Sequence, residues 1–145
     1  MPKKSFPIAV ILNFADGRLL TSIDDAYEFA NFMTDDNLFT HQLPRAFREI
    51  EPVLKNQLPW LDSPTFKNEQ LCLTGLIACA GNNREATRKA IDAWLEFQAT
   101  LFGAEHEVTP LAEWMKQDPV SELIQMMESK EGIIIVEMPE APPNR

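Results

Sequence analysis

The chain has 145 residues, 45% of them apolar, which is enough for one domain with a sizeable core and argues against intrinsic disorder. Thirteen basic residues against 22 acidic ones leave a formal charge of −9. Such a balance argues against nonspecific nucleic-acid binding, which needs a basic footprint to neutralise phosphates. The acid is spread along the chain, since residues 1–62 carry six basic and nine acidic groups and residues 63–145 carry seven and 13. It fits solubility, a basic partner surface, or mimicry of a phosphate backbone.

Residues 7–14, PIAVILNF, form an apolar run rich in branched side chains, bounded by Pro7 and by Asp16-Gly17. The run is short for a signal peptide and lacks a small-residue cleavage site, so it predicts a central strand. Asp16-Gly17 is a favoured hairpin dipeptide, which would make residues 18–21 a return strand. Alternatively the chain turns there directly into a helix. Ser22 has the character of an N-cap, with Asp24 and Asp25 in a first turn where the helix dipole favours anions. Ile23, Ala26, Tyr27, Ala30 and Met33 recur at helical spacing, so a helix is expected to about Met33.

After the loop Thr34-Asp35-Asp36-Asn37, a second helix should begin between Thr40 and Pro44, with the proline in the first turn. Ala46, Phe47, Ile50, Val53 and Leu54 give its buried stripe, and Pro52 should kink it or end it early. Residues 57–64 form a turn-rich connector carrying Trp60. Residues 71–80, LCLTGLIACA, are ambiguous between strand and buried helix, and the first half is read as strand. Cys72 and Cys79 lie in that stretch without zinc or redox spacing, and read as small buried hydrophobes of a cytosolic protein. Asn83 and Gly103 bracket the clearest helix, with Ala90, Trp94, Leu95, Leu101 and Phe102 as its apolar positions. Residues 105–111 alternate like an edge strand. Asp118-Pro119 starts a last helix, with Leu123, Met126 and Met127 facing inward. Residues 133–138 read as a central strand beside the first one, and 139–145 as a disordered tail.

These elements predict one globular domain over residues 1–138. Its class is α+β or α/β, with a small mixed sheet of about three to five strands packed by about four helices. No segment approaches transmembrane length, and a cytoplasmic location is expected.

Three stretches carry a resemblance: DGRLLTSIDDAYEFANFMTDDNLFTHQLPRA (16–46), EHEVTPLAEWMKQDPVSEL (105–123) and IIIVEMP (133–139). In them the chain resembles small uncharacterised proteins and domains of bacteriophage and prophage genomes, with THQLPRA as the most specific marker. The resemblance implies a phage or prophage origin, and it supplies no catalytic residue.

The residues supply no phosphate-binding loop, dinucleotide fingerprint or nucleophile elbow. Two histidines without ligand spacing make a metal site improbable, and no cofactor is expected. The speculative binding residues are His41, Gln42, Arg45 and Arg48, at a helix start where unpaired amides attract anions. One reading makes His41 a base or anion-binding group at the mouth of a pocket, working with Arg45 and Arg48. The plainer reading has His41 capping the loop-to-helix junction and Asp35, Asp36 or Glu49 pairing with Arg45. A thiol nucleophile paired with His41 is disfavoured by the apolar setting of both cysteines. His106 is expected on the opposite strand face from Glu105 and Glu107.

Three functions remain open. The leading one is a protein that binds a host or phage protein, for instance inhibiting a defence system or regulating an enzyme. The others are a small-ligand binder or enzyme using His41, Arg45 and Arg48, and a structural or assembly protein with an apolar patch at Trp60 or Trp114.

Overall fold

The computed structural model describes residues 2–128, and the strand and tail expected at 133–138 and 139–145 lie outside them. Its element order is β1 (Lys4–Pro7), α1 (Ile8–Asp16), α2 (Ile23–Thr34), α3 (Leu43–Gln57), α4 (Pro64–Ala80), α5 (Arg84–Phe102), β2 (Glu105–Val108) and α6 (Pro119–Glu128). Short 3₁₀ turns at Thr40–Gln42 and Pro59–Asp62 lead into α3 and out of it. The described residues are therefore mostly helical. Their only sheet is one antiparallel pair, β1 with β2, in the register Lys4↔Val108 and Phe6↔His106. This overturns the expected sheet of several strands.

The correction begins at α1. Seven of its nine residues are buried, Asn13 among them, and Ile11 and Leu12 have no exposure. A helix enclosed on every side carries no polar stripe, so its sequence lacks the 3.6-residue period and resembles a buried strand. Asp16-Gly17 is accordingly a helix end and not a hairpin. Gly17 takes φ 85° as the left-handed cap and its N–H bonds the Asn13 carbonyl. Asn13 then holds the loop that follows. Its Oδ1 accepts from the amides of Leu20 (2.6 Å) and Thr21 (3.0 Å), and its Nδ2 donates to the Thr21 hydroxyl (2.7 Å).

α2 forms as expected, with the Ser22 hydroxyl accepting from the Asp25 amide at 3.2 Å. Its inward residues Ala26, Phe29, Ala30 and Met33 are fully buried, and Phe6, Phe14 and Phe29 meet edge to face or tilted. α3 buries Leu43, Ala46, Ile50 and Leu54. Pro52 neither ends it nor shortens it. The proline lies on the exposed side, so the ladder bond it cannot make belongs to a carbonyl that water can reach.

Residues 71–80 belong to α4, not to a strand. Ser63 caps it, accepting from the Phe66 amide at 3.2 Å, and Pro64 occupies its first turn. Only Phe66 and Leu73 are buried along it, and both cysteines are exposed rather than buried. α5 folds back on α4 after a three-residue turn at 81–83, and packs on it through Trp94 and Gln98. Their side-chain amide and indole N–H groups bond the Glu69 side chain (2.8 Å) and carbonyl (2.9 Å). Trp60 stacks on Phe102 at 4.4 Å and Trp114 lies under a guanidinium, so neither forms the exposed patch considered from sequence. His106 turns its ring to Trp60, 5.1 Å away, and its Nε2 lies 3.2 Å from the Gly103 carbonyl.

Two contacts fix the chain beyond β2 and so position the site. The Gln57 side-chain amide makes both hydrogen bonds of a strand neighbour with Thr109, each 2.8 Å. The Leu111 amide bonds the Met33 carbonyl at 2.8 Å. These contacts tie the segment to the end of α3 and the end of α2, and Trp114, three residues past Leu111, then lies against Arg45 at the start of α3.

Candidate functional site: the cleft between α3 and α6

The site is built where the 3₁₀ turn Thr40–Gln42 runs into α3. The turn is tied at its base by the Tyr27 hydroxyl bonding Thr40, and by the Phe39 amide donating to Gln42 Oε1 at 2.8 Å. Gln42 is 1% exposed. With its oxygen occupied, it points Nε2 at Glu122 Oε1, 2.9 Å away.

Glu122 is the partner that Arg45 takes. Arg45 Nε reaches Oε2 at 3.0 Å and Nη2 reaches Oε1 at 3.2 Å, a two-pronged pair whose side chains are 13% and 8% exposed. Nη1 lies 3.8 Å from Glu49 Oε2. The guanidinium face rests on Trp114, with Cζ 3.8 Å from the ring centroid, and the indole N–H donates to Asp36 Oδ2 at 3.1 Å. Burial pushes the Glu122 carboxyl up. The hydrogen bonds from Arg45 and Gln42 and the charges of Arg45 and His41 outweigh that, and hold it below the usual carboxylate range.

His41, half-buried, bonds the Pro119 carbonyl through Nε2 at 2.8 Å. That contact holds the first residue of α6, so His41 docks a distant helix instead of capping its own junction. Arg48 is exposed at the rim, one turn from Pro44 and Arg45. Between α3 and α6 these residues line a cleft of about 640 Å³, with Pro44, Gln117, Glu122, Gln125 and Met126 completing the walls. The Gln117 Oε1 is buried there without a hydrogen-bond partner.

The structure thus brings His41, Arg45 and Arg48 to one cleft, with Gln42 behind it on Glu122. Their roles differ. Gln42 and Arg45 are consumed by Glu122, while no carboxylate among the described residues pairs with Arg48. The local acids considered from sequence do not fill the site. Asp35 ends α2 with φ 52°, Asp36 takes the Trp114 indole, and Glu49 stands at the margin. Glu122, Trp114 and Gln117 were missed. Leu123, Met126 and Met127 were expected inward, yet Leu123 and Met127 are exposed at 40% and 47% and Glu122 is the buried one. The available signal was position. Glu122 sits in the first turn of α6 with Met126 one turn on, and that row faces α3.

A second depression of about 400 Å³ adjoins the α4–α5 turn, lined by Gly81, Arg84 and Arg88 among others. Arg88 there is already bonded to Asp92 (2.8 Å) and the Leu20 carbonyl (2.6 Å). Among the described residues, no group of three or more His, Cys, Asp or Glu side chains could hold a metal. No helix among them is long and apolar enough to cross a membrane. The cysteines lie on α4, outside the cleft lining.

No curated protein and no solved structure matches the chain. Residues 6–63, less than half of the chain, match the family model described as a domain of unknown function, DUF7736, and that stretch holds α1 to α3 together with His41, Gln42, Arg45 and Arg48.

Proposed function

We propose that this is a phage- or prophage-encoded binding protein, not a catalyst, which takes an anionic group of a host or phage protein into the α3–α6 cleft. The observation that supports this reading is the difference between two neighbouring arginines. Arg45 is neutralised by Glu122 and shielded by Trp114, so it builds the wall. Arg48, three residues further along α3, stands at the rim, and no carboxylate among the described residues pairs with it. In a chain of net charge −9 a local cationic rim selects an acidic partner group by contrast with its surroundings.

A second reading is a free small anion in the same cleft, because its volume lies within the roughly 300–1,000 Å³ of small-molecule pockets. Capture from bacterial lysate with the wild-type chain and with Arg48→Glu separates the two. A stoichiometric protein retained by the wild type and lost by Arg48→Glu, at unchanged melting temperature, is the expected result. No stoichiometric protein, with a small ligand seen by native mass spectrometry, selects the second reading. A captured protein indifferent to Arg48→Glu refutes the cleft as the binding surface.

A further inference from the structure

α6 is docked by its polar side. Glu122 is the buried residue of this helix. Val120, Leu123, Ile124 and Met127, the i, i+3, i+4, i+7 row that faces a core in an ordinary surface helix, are 40–63% exposed. Burial of apolar surface therefore does little to hold α6 in place. The chain is fastened as far as Leu111 by the Gln57 bonds to Thr109 and the Leu111 bond to Met33. What holds the helix beyond is a set of donors built into the start of α3. Gln42 is enclosed and fixed through its own oxygen by the Phe39 amide, so its Nε2 has a set direction. That N–H (2.9 Å) and the Arg45 Nε (3.0 Å) and Nη2 (3.2 Å) converge on the one carboxylate of Glu122. His41 Nε2 reaches the Pro119 carbonyl at 2.8 Å, three positions before Glu122 on the same side of α6. Among the described residues, no acceptor in α1 to α3 bonds any of these four groups. The donors lie inside the stretch 6–63 that matches the family model, and α6 lies outside it.

We propose that His41, Gln42 and Arg45 form a receptor for a carboxylate carried on a helix, and that Glu122 fills it from within the chain. α6 is then a plug, which leaves when a helix of a partner protein brings its own glutamate or aspartate. The inference rests on the reading above that the cleft takes an acidic group of a protein, and it adds where that group goes. The partner carboxylate takes the place of Glu122 on Arg45 and Gln42, with Arg48 as a further cation at the rim. α6 itself displays the chemistry selected. A guanidinium fork and an amide N–H match a planar carboxylate. The histidine reads a backbone carbonyl one turn before it, which restricts the ligand to a helix start. The open cleft of about 640 Å³ between α3 and α6 gives an incoming chain access beside the plug. A tethered ligand acts at an effective concentration of about millimolar, so α6 excludes weak acidic competitors and yields to a partner that binds more surface than Glu122 does.

The probe is a fluorescent peptide of residues 112–128 of this chain, followed by anisotropy. The full chain with Glu122→Lys, whose new charge repels Arg45, should bind it. The wild type should bind it about ten-fold or more weakly, because its own helix competes. The same peptide with Glu122→Gln should lose about ten-fold or more in affinity for the opened chain, as should the wild-type peptide when Arg45→Ala is added to Glu122→Lys. Equal binding by wild type and Glu122→Lys overturns the proposal, as does a folded Glu122→Lys chain that ignores the peptide, or one that takes the Glu and Gln peptides alike. Displacement of the peptide by free glutamate at the peptide's own concentration overturns the helix requirement and with it the proposal. The wild type supplies a measurement that needs no variant. Amides of 119–128 should exchange by local opening, faster than those of α3, and exchange as slow as that of α3 overturns the plug. These results are separate from lysate capture. Peptide exchange without a captured protein upholds the receptor and refutes the protein-binding function, and capture without peptide exchange does the reverse.

Discussion

Replacing Arg45 by alanine should undock α6 before it unfolds the protein. The pair it forms with Glu122 is nearly enclosed, with side-chain exposures of 13% and 8%, and the guanidinium is also flat on Trp114. An exposed ion pair contributes about 0–1 kcal/mol. Breaking an enclosed one costs about 3–5 kcal/mol, because the remaining charge is stranded. Without Arg45, Glu122 would keep only Gln42. However, α6 can relieve that charge by swinging into water, since its described hydrogen bonds to the rest of the fold are those of Arg45 on α3 and Gln42 in the preceding turn to Glu122, and of His41 in that turn to Pro119. The loss is therefore limited by the undocking free energy of α6, and a charged hydrogen bond of this kind gives a scale of about 1–3 kcal/mol. Denaturant unfolding gives the total, and amide hydrogen exchange shows where it falls. Protection should drop first across Pro119–Glu128, with α1, α2 and α5 keeping theirs. An unchanged exchange pattern in α6, or a loss of 3–5 kcal/mol shared evenly by all helices, would refute the argument.

The sequence disclosed what local chemistry decides. Ser22 and Asn83 cap their helices through their side chains, Gly103 ends α5, and Pro119 opens α6, all as their residue types require. It misled where a helix is not half in water. α1 is buried nearly all round and the second half of α4, residues 71–80, carries no charge on either side, so neither shows the alternation of faces from which helices are read, and both resemble strands. The cysteines followed the same error, since an apolar stretch was equated with a buried one. At the cleft, the helix start and its cations were legible because they sit within eight residues, His41 to Arg48. Their anion was not. Glu122 is 77 residues from Arg45, and nothing in its surroundings distinguishes it from other acids in first turns. Asp35, Asp36 and Glu49 were nearer in sequence, but the left-handed end of α2 and the Trp114 indole direct the first two elsewhere.

Trp94→Ala should be among the most damaging substitutions, at about 3–5 kcal/mol, because the residue is 3% exposed and its indole holds the Glu69 carbonyl. Chemical unfolding checks it, and a change below about 1 kcal/mol would show that the α4–α5 contact does not depend on that side chain. The acid side of the stability profile should carry the signature of Glu122. Burial raises its pKa, but Arg45, Gln42 and His41 together bring it below the ordinary 4.5. A carboxyl whose folded pKa is depressed contributes stability above its unfolded value, and that contribution disappears as pH falls through the folded value. Glu122→Gln keeps the shape and removes the titration. The wild type should therefore be the more stable at neutral pH, with the gap between the two closing once pH drops below the ordinary carboxylate value. Measuring both unfolding free energies from about pH 7 to about pH 3 decides it. A gap that stays constant across that range would mean the folded carboxyl is not held ionised by Arg45, and that α6 is fastened by packing instead.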